Sequence, residues 1–385
     1  MKGIQCDTES YIYMPLLEEL GYIPTEKYAH CLEILKHVDM IAQKWDLTPK
    51  ALFLTEVKIM DWDDKASKWT VRTNRGDKIR STFIVTANGI LHKLKLPGVP
   101  GIESFKGETF HTSRWDYDIT GGDSTGNLTK LADKTIGIIG TGATAVQLLP
   151  QLARYAKKVY VFQRTPSSIN VRNNRPTSTD PKFLSSLKPG WQLHRQDNFN
   201  TILGGGAEEE DLVSDGWTNN ASQEILSAGA KDIDPAKLGE MIALADFKMM
   251  DWIRARVDEI VHDPLTAEKL KPWYSSMCKR PCFHDEYLQA FNQENVSLID
   301  TNANGVKRIS ENGVVANGEE YKVDILVYST SSYQGIHLSV SPVLRLRGGM
   351  GRLLRRSSRV GRLRSMGCIL EGFRTISCSK LLNQV

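Results

Sequence analysis

The chain has 385 residues, 41% of them hydrophobic, and a formal net charge of +4. That length accommodates two nucleotide-binding domains, and the composition is ordinary for a globular protein. No stretch approaches the roughly 18 uninterrupted apolar residues of a membrane span, residues 1–5 lack the apolar core of a secretory signal, and cysteines at 6, 31, 278, 282, 368 and 378 are too scattered for a disulfide framework. A reduced, cytoplasmic setting with no membrane partner is the expectation.

The first informative run, residues 105–115, carries Phe105, Gly107, His111 and Trp115. Taken alone, a His and a Trp in such a run are plain packing residues. Thr135–Ile139 follows as a short β-branched run suited to a strand buried on both faces, and it enters Gly140, Thr141, Gly142, Ala143, Thr144 and Ala145. Gly140 permits a tight turn, Gly142 lets the backbone approach a pyrophosphate, and Ala145 keeps the next helix close to the strand. Free N–H groups at that helix start, through Val146 and Gln147, face the phosphates. Pro150 is expected to kink the helix.

Lys158–Phe162 predicts a second strand, ending at Gln163, Arg164 and Thr165. An NAD enzyme places Asp or Glu there for the ribose hydroxyls; a guanidinium suits a 2′-phosphate, so the expected cofactor is NADP. A glycine turn that merely joins strand to helix is the plain alternative. From Asn170 to about Gly216 the chain is polar, and Asp234-Pro235 then opens an amphipathic helix with apolar residues at 238, 241, 242, 245, 249, 252, 253, 257 and 260, stopped by Pro264. Cys278 and Cys282 lack a second Cys or His pair at metal-site spacing, so no metal is expected. Strands are predicted at 296–299 and 321–328, with Asn-Gly turns at 312–313 and 317–318.

Phe105, Gly107, His111 and Trp115 match the F-x-G-x-x-x-H-x-x-x-W fingerprint, and before an NADP turn they resemble the Baeyer–Villiger monooxygenases, flavoenzymes that insert oxygen beside a ketone. The resemblance runs from about Gly3 to Thr330. It makes residues 5–13 the segment against the flavin, with Gln5, Cys6, Asp7 and Tyr13 in contact places and Val57 a further cofactor position. Residues 86–89 stand at the crossing between domains, and Cys278 to Pro281 resemble the stretch that carries the active-site arginine. Residues 13–24 are similar to fungal enzymes that modify meroterpenoids and polyketides.

By this resemblance the chain uses FAD, NADPH and O2 to convert a ketone to an ester or lactone, with no nucleic-acid partner. Arg280 is the catalytic cation, since a guanidinium stays protonated and offers directed donors to an oxyanion. Asp7 orients it, and Lys279 shares the NADP phosphate with Arg164. His111 and Trp115 couple the linker to the NADP site. The implied fold is α/β, with two Rossmann-like domains: an incomplete FAD domain and linker over 1–134, and an NADP domain over 135–330 with a mostly helical insert at about 175–275.

Relatives begin with a G-x-G-x-x-G turn for the FAD pyrophosphate, which is absent here, so the chain is expected to be truncated at both ends. Residues 331–385 carry nine Arg and one Lys against one Glu, a net of +9 that leaves −5 on residues 1–330. A shifted reading frame and a disordered basic tail are expected there. Two alternatives stay open: an inactive NADP-binding remnant, and an N- or S-oxygenating flavin monooxygenase.

Overall fold

The computed structural model describes residues 4–87, 94–177, 187–206, 208–218, 234–330 and 345–347. Asn88 and Gly89 of the expected crossing lie outside them, as does nearly all of the expected tail. The chain divides into two units, residues 1–50 with 93–332, and residues 51–92 with 333–385.

In the larger unit five strands form one parallel sheet. Thr135–Ile139, Lys158–Gln163 and Val296–Asp300 lie side by side in chain order. On the other flank of Thr135–Ile139 come Ile325–Tyr328 and then Glu108–His111. The central strands are almost wholly buried and apolar, as covering on both faces requires. Strand order reverses at Thr135–Ile139, so its carboxyl end opens on the crevice where doubly wound sheets bind ligands.

Helix Ala143–Tyr155 follows directly and buries Ala145, Val146, Leu148, Leu149 and Leu152 in the main core. It stays continuous through the buried Pro150, which forgoes only the bond to the Val146 carbonyl. A division at residue 134 would cut this sheet, because Glu108–His111 pairs in register with Ile325–Tyr328. The 321–328 run also splits in two. Glu319–Lys322 is polar and pairs antiparallel with Gly313–Ala316 across the Asn317-Gly318 turn, whereas apolar Ile325–Tyr328 enters the parallel sheet.

The insert contains helices Trp191–Leu203, Pro235–Ile260 and Pro264–Leu270. Pro235–Ile260 buries Ala245, Met250, Ile253 and Val257, but Trp252, expected on that face, is 51% exposed. It lies off the 250/253/257 stripe that turns inward. Pro264 opens a helix as well as following one: Asp263 accepts the Thr266 N–H at 2.9 Å, and Pro264 takes the first position, where no N–H is needed.

The first residues pack on the insert. Cys6, Tyr11, Met14, Leu17, Tyr28 and Ala29 form a small core with Trp191 against it. Gln192 accepts the Leu17 N–H at 2.8 Å and donates to the carbonyls of Tyr11 (3.0 Å) and Met14 (2.7 Å). Arg195 grips the buried Glu9 through two bonds, at 2.6 and 2.8 Å. The polar stretch thus supplies the partners that hold the 5–20 segment in shape.

The smaller unit is a meander of Val57–Asp63, Lys68–Thr73 and Lys78–Ser81, with Arg345–Arg347 pairing parallel to the first strand. Val57 is 38% exposed at its start.

Candidate active site

Gly140 has φ +113°, and a Cβ there would stand 2.4 Å from the Ser329 carbonyl oxygen. Only glycine makes this turn without strain. Gly142 faces open space, with nothing within 4 Å of a Cβ position. Thr144 is exposed beside it, Ala143 and Gln147 are half-buried, and Ala145 and Val146 are buried. A phosphate here would therefore meet backbone N–H groups of the first helical turn. Thr141 turns away, and its hydroxyl donates to the Thr165 carbonyl at 2.9 Å.

Arg164 is exposed at the end of Lys158–Gln163, and Thr165 follows half-buried. Lys279 reaches the same spot: its ammonium bonds the Thr165 hydroxyl, donates to the Pro166 carbonyl at 3.2 Å and lies 4.5 Å from the Tyr274 ring centre. Burial first, and the charge of Arg164 second, lower the Lys279 pKa. Two cations that repel each other across an open position mark a seat for an anion.

Lys279 and Arg280 arrive together because Cys282–Phe283 pairs parallel with Ile169–Asn170, just beyond Arg164. Arg280 meets Asp7 in a two-pronged ion pair, Nη2 to Oδ1 at 2.8 Å and Nη1 to Oδ2 at 2.7 Å. Its side chain remains 51% accessible while that of Asp7 is 11% accessible. Burial works against the Arg280 charge, but the bonds and field of Asp7 outweigh it and raise the pKa above the ordinary arginine value. The guanidinium stays charged and still offers donors outward.

Asp7 is anchored from its own segment. Cys6 donates its N–H to the Ala29 carbonyl at 3.1 Å, and the buried Cys6 thiol is pushed up to about 11, mainly by burial. Gln5 donates its N–H to the Gln147 side chain at 2.8 Å, tying the segment to helix Ala143–Tyr155. Tyr13 is 56% exposed. Trp217, which sequence reasoning did not single out, donates its indole N–H to the Asp7 carbonyl at 2.6 Å, and its ring lies 5.6 Å from the Arg280 guanidinium. A tryptophan in an otherwise polar stretch was the available signal.

The fingerprint residues brace the sheet and touch neither cation group. A Cβ on Gly107 would stand 2.5 Å from the Asp324 carbonyl oxygen and 2.6 Å from the Phe105 ring. His111 Nδ1 accepts the Ser113 N–H at 3.2 Å, which leaves Nε2 to donate to the Thr330 carbonyl at 3.1 Å. Trp115 stacks edge-on with Phe110 at 4.8 Å and donates to the Thr120 hydroxyl at 3.1 Å. Among the described residues, no cluster could hold a metal ion, and no helix is long and apolar enough to cross a membrane.

The sheet and its turn place the chain among α/β dinucleotide-binding proteins. The flavin-binding monooxygenase-like family profile matches residues 11–177. The chain is 57% identical over 329 residues to the FAD-binding monooxygenase hmp7 of Hypomyces subiculosus, covering 85% of this chain and 54% of that protein. It is 57% identical over 332 residues to the Baeyer–Villiger monooxygenase ATR8 of Stachybotrys chlorohalonatus, covering 85% and 53%. A polycyclic ketone monooxygenase from Thermothelomyces thermophila superposes with a TM-score of 0.85 at 42% identity, over 93% of this chain and 60% of that one. The chain is a homologue of the Baeyer–Villiger flavin monooxygenases. It spans about half the length of the curated relatives it matches.

Proposed function

We propose that the chain serves an FAD- and NADPH-dependent Baeyer–Villiger monooxygenase that inserts one atom of O2 beside a ketone, giving an ester or lactone, in fungal secondary metabolism. The observation that carries this reading is Arg280, locked by Asp7 yet half accessible, one residue from the Lys279 and Arg164 pair. NADPH supplies the hydride and FAD, once reduced, the activation of O2. Gly140 and Gly142 would shape the pyrophosphate seat, Arg164 and Lys279 would hold the 2′-phosphate, and Gln5, Cys6, Asp7 and Tyr13 would face the flavin. Arg280 donates to the oxyanion, and Asp7 fixes the direction of its N–H groups. The site needs no acid or base to titrate near neutrality, because it stabilises charge with a permanent cation.

Incubation of the purified chain with FAD, NADPH, a cyclic ketone and 18O2 tests the proposal. The expected product is an ester or lactone two mass units heavier than the 16O product. NADPH consumption indifferent to ketone, with no labelled ester, would overturn it; a labelled N- or S-oxide from an amine or sulfide would point to the sister chemistry.

A further inference from the structure

A cavity of about 520 Å3 lies among Lys27, Tyr28, residues 170–173 and 175, residues 214–216 and helix Pro235–Ile260. Such a volume accepts a small organic molecule. Its wall carries four cations, Lys27, Arg172, Arg175 and Lys248, against one carboxylate, Asp215. That carboxylate is already engaged by the Tyr28 hydroxyl at 3.0 Å and the Trp217 N–H at 2.9 Å. Lys27 and Arg172 are 8% and 5% exposed, unusual for cations without a carboxylate of their own. Lys27 donates to the Val213 carbonyl at 2.7 Å. Arg172 donates to the Gln5 side chain at 2.5 Å, while its Nε and Nη2 find no partner. Arg175 and Lys248 stand exposed on the rim, with no ion pair among the described residues. The helix contributes an apolar wall of Ala245, Met249 and the half-exposed Trp252.

We propose that this cavity binds an amphipathic organic carboxylate, with its anion toward Lys27, Arg175 and Lys248 and its apolar body along Trp252 and Met249. A concavity that carries four cations against one carboxylate attracts an anion, and a flat apolar wall beside it favours a hydrophobic body over a bare phosphate. Burial lowers the Lys27 pKa, against the raising fields of Glu9 and Asp215. A bound carboxylate would favour the charged form further. Binding of a carboxylate in this cavity requires no flavin.

Calorimetric titration of the full chain compares 2-naphthylacetate with its neutral amide at fixed ionic strength. The acid is expected to bind at least tenfold more tightly, the range of a charge-assisted hydrogen bond. Arg175→Gln combined with Lys248→Gln, both exposed and outside the oxygenation machinery, should shrink that preference to about threefold or less with an unchanged melting temperature. Trp252→Ala should weaken acid and amide alike. Equal binding of acid and amide, no binding of either, retention of the preference in the double variant, or equal competition by inorganic phosphate would each overturn the proposal.

Discussion

Gly140 reaches its place through neighbours in the chain, a strand before it and a helix after it, whereas Arg280 meets Asp7 across 273 residues. The turn is a backbone device: its N–H groups point where the local fold sends them, and side-chain changes nearby scarcely move them. The arginine is a side-chain device, and its direction depends on Asp7, on the Trp217 indole under it and on the short Cys282–Phe283 pairing. Damage to the first should therefore show as lost stability and lost nucleotide binding. Damage to the second should show in chemistry while the fold survives.

The largest stability effect should come from Gly140→Ala. The positive φ and the 2.4 Å approach to the Ser329 carbonyl together cost about 3 kcal/mol, read as a lower denaturation midpoint and weaker NADPH binding. A wild-type midpoint would break the contrast between the two devices. Lys279→Gln should leave the fold intact and raise the KM for NADPH roughly 10- to 100-fold with little change for NADH, since on the proposed reading it removes a charge-assisted bond to the 2′-phosphate. Equal losses with both cofactors would remove Lys279 from the phosphate.

His284 sharpens the same contrast through pH. Burial first, then Arg172, lowers its pKa to about 4, below the ordinary 6.5, and its Nδ1 accepts the Glu286 N–H at 3.0 Å. The unfolded chain takes up this proton near pH 6.5 while the folded chain resists until about pH 4. His284 therefore favours the fold above pH 6.5 and withdraws stability as pH falls through that window, on the order of 1 kcal/mol per pH unit. His284→Asn should flatten that portion of the stability curve, and a curve of unchanged slope would contradict the assignment. Trp217→Phe should have the smallest effect, about a fivefold fall in ester formation with NADPH binding unaltered, because one hydrogen bond to the Asp7 carbonyl is lost. A fall in NADPH binding instead would place Trp217 with the nucleotide.

These differences also explain what could be read from residue order. Strand, turn and helix at 135–155 announce themselves through apolar runs and glycine spacing, and Arg164 follows at a fixed distance. No periodicity links Asp7 to Arg280; only the family pattern paired them, and the structure joins them at 2.7 Å. Trp217 and Arg172 stayed hidden because their partners, a backbone carbonyl and the Gln5 amide, leave no mark at any spacing. Trp252 shows the opposite failure: a regular apolar pattern counted it inward, whereas the helix turns it toward a cavity lined with cations.

The most direct test replaces Arg280 by Ala and follows flavin reduction by NADPH and ester formation in the same sample. Reduction at the parent rate with ester formation down about 100- to 1000-fold, as for loss of an oxyanion donor, is the expected result. Ester formed at the parent rate would contradict the role of Arg280.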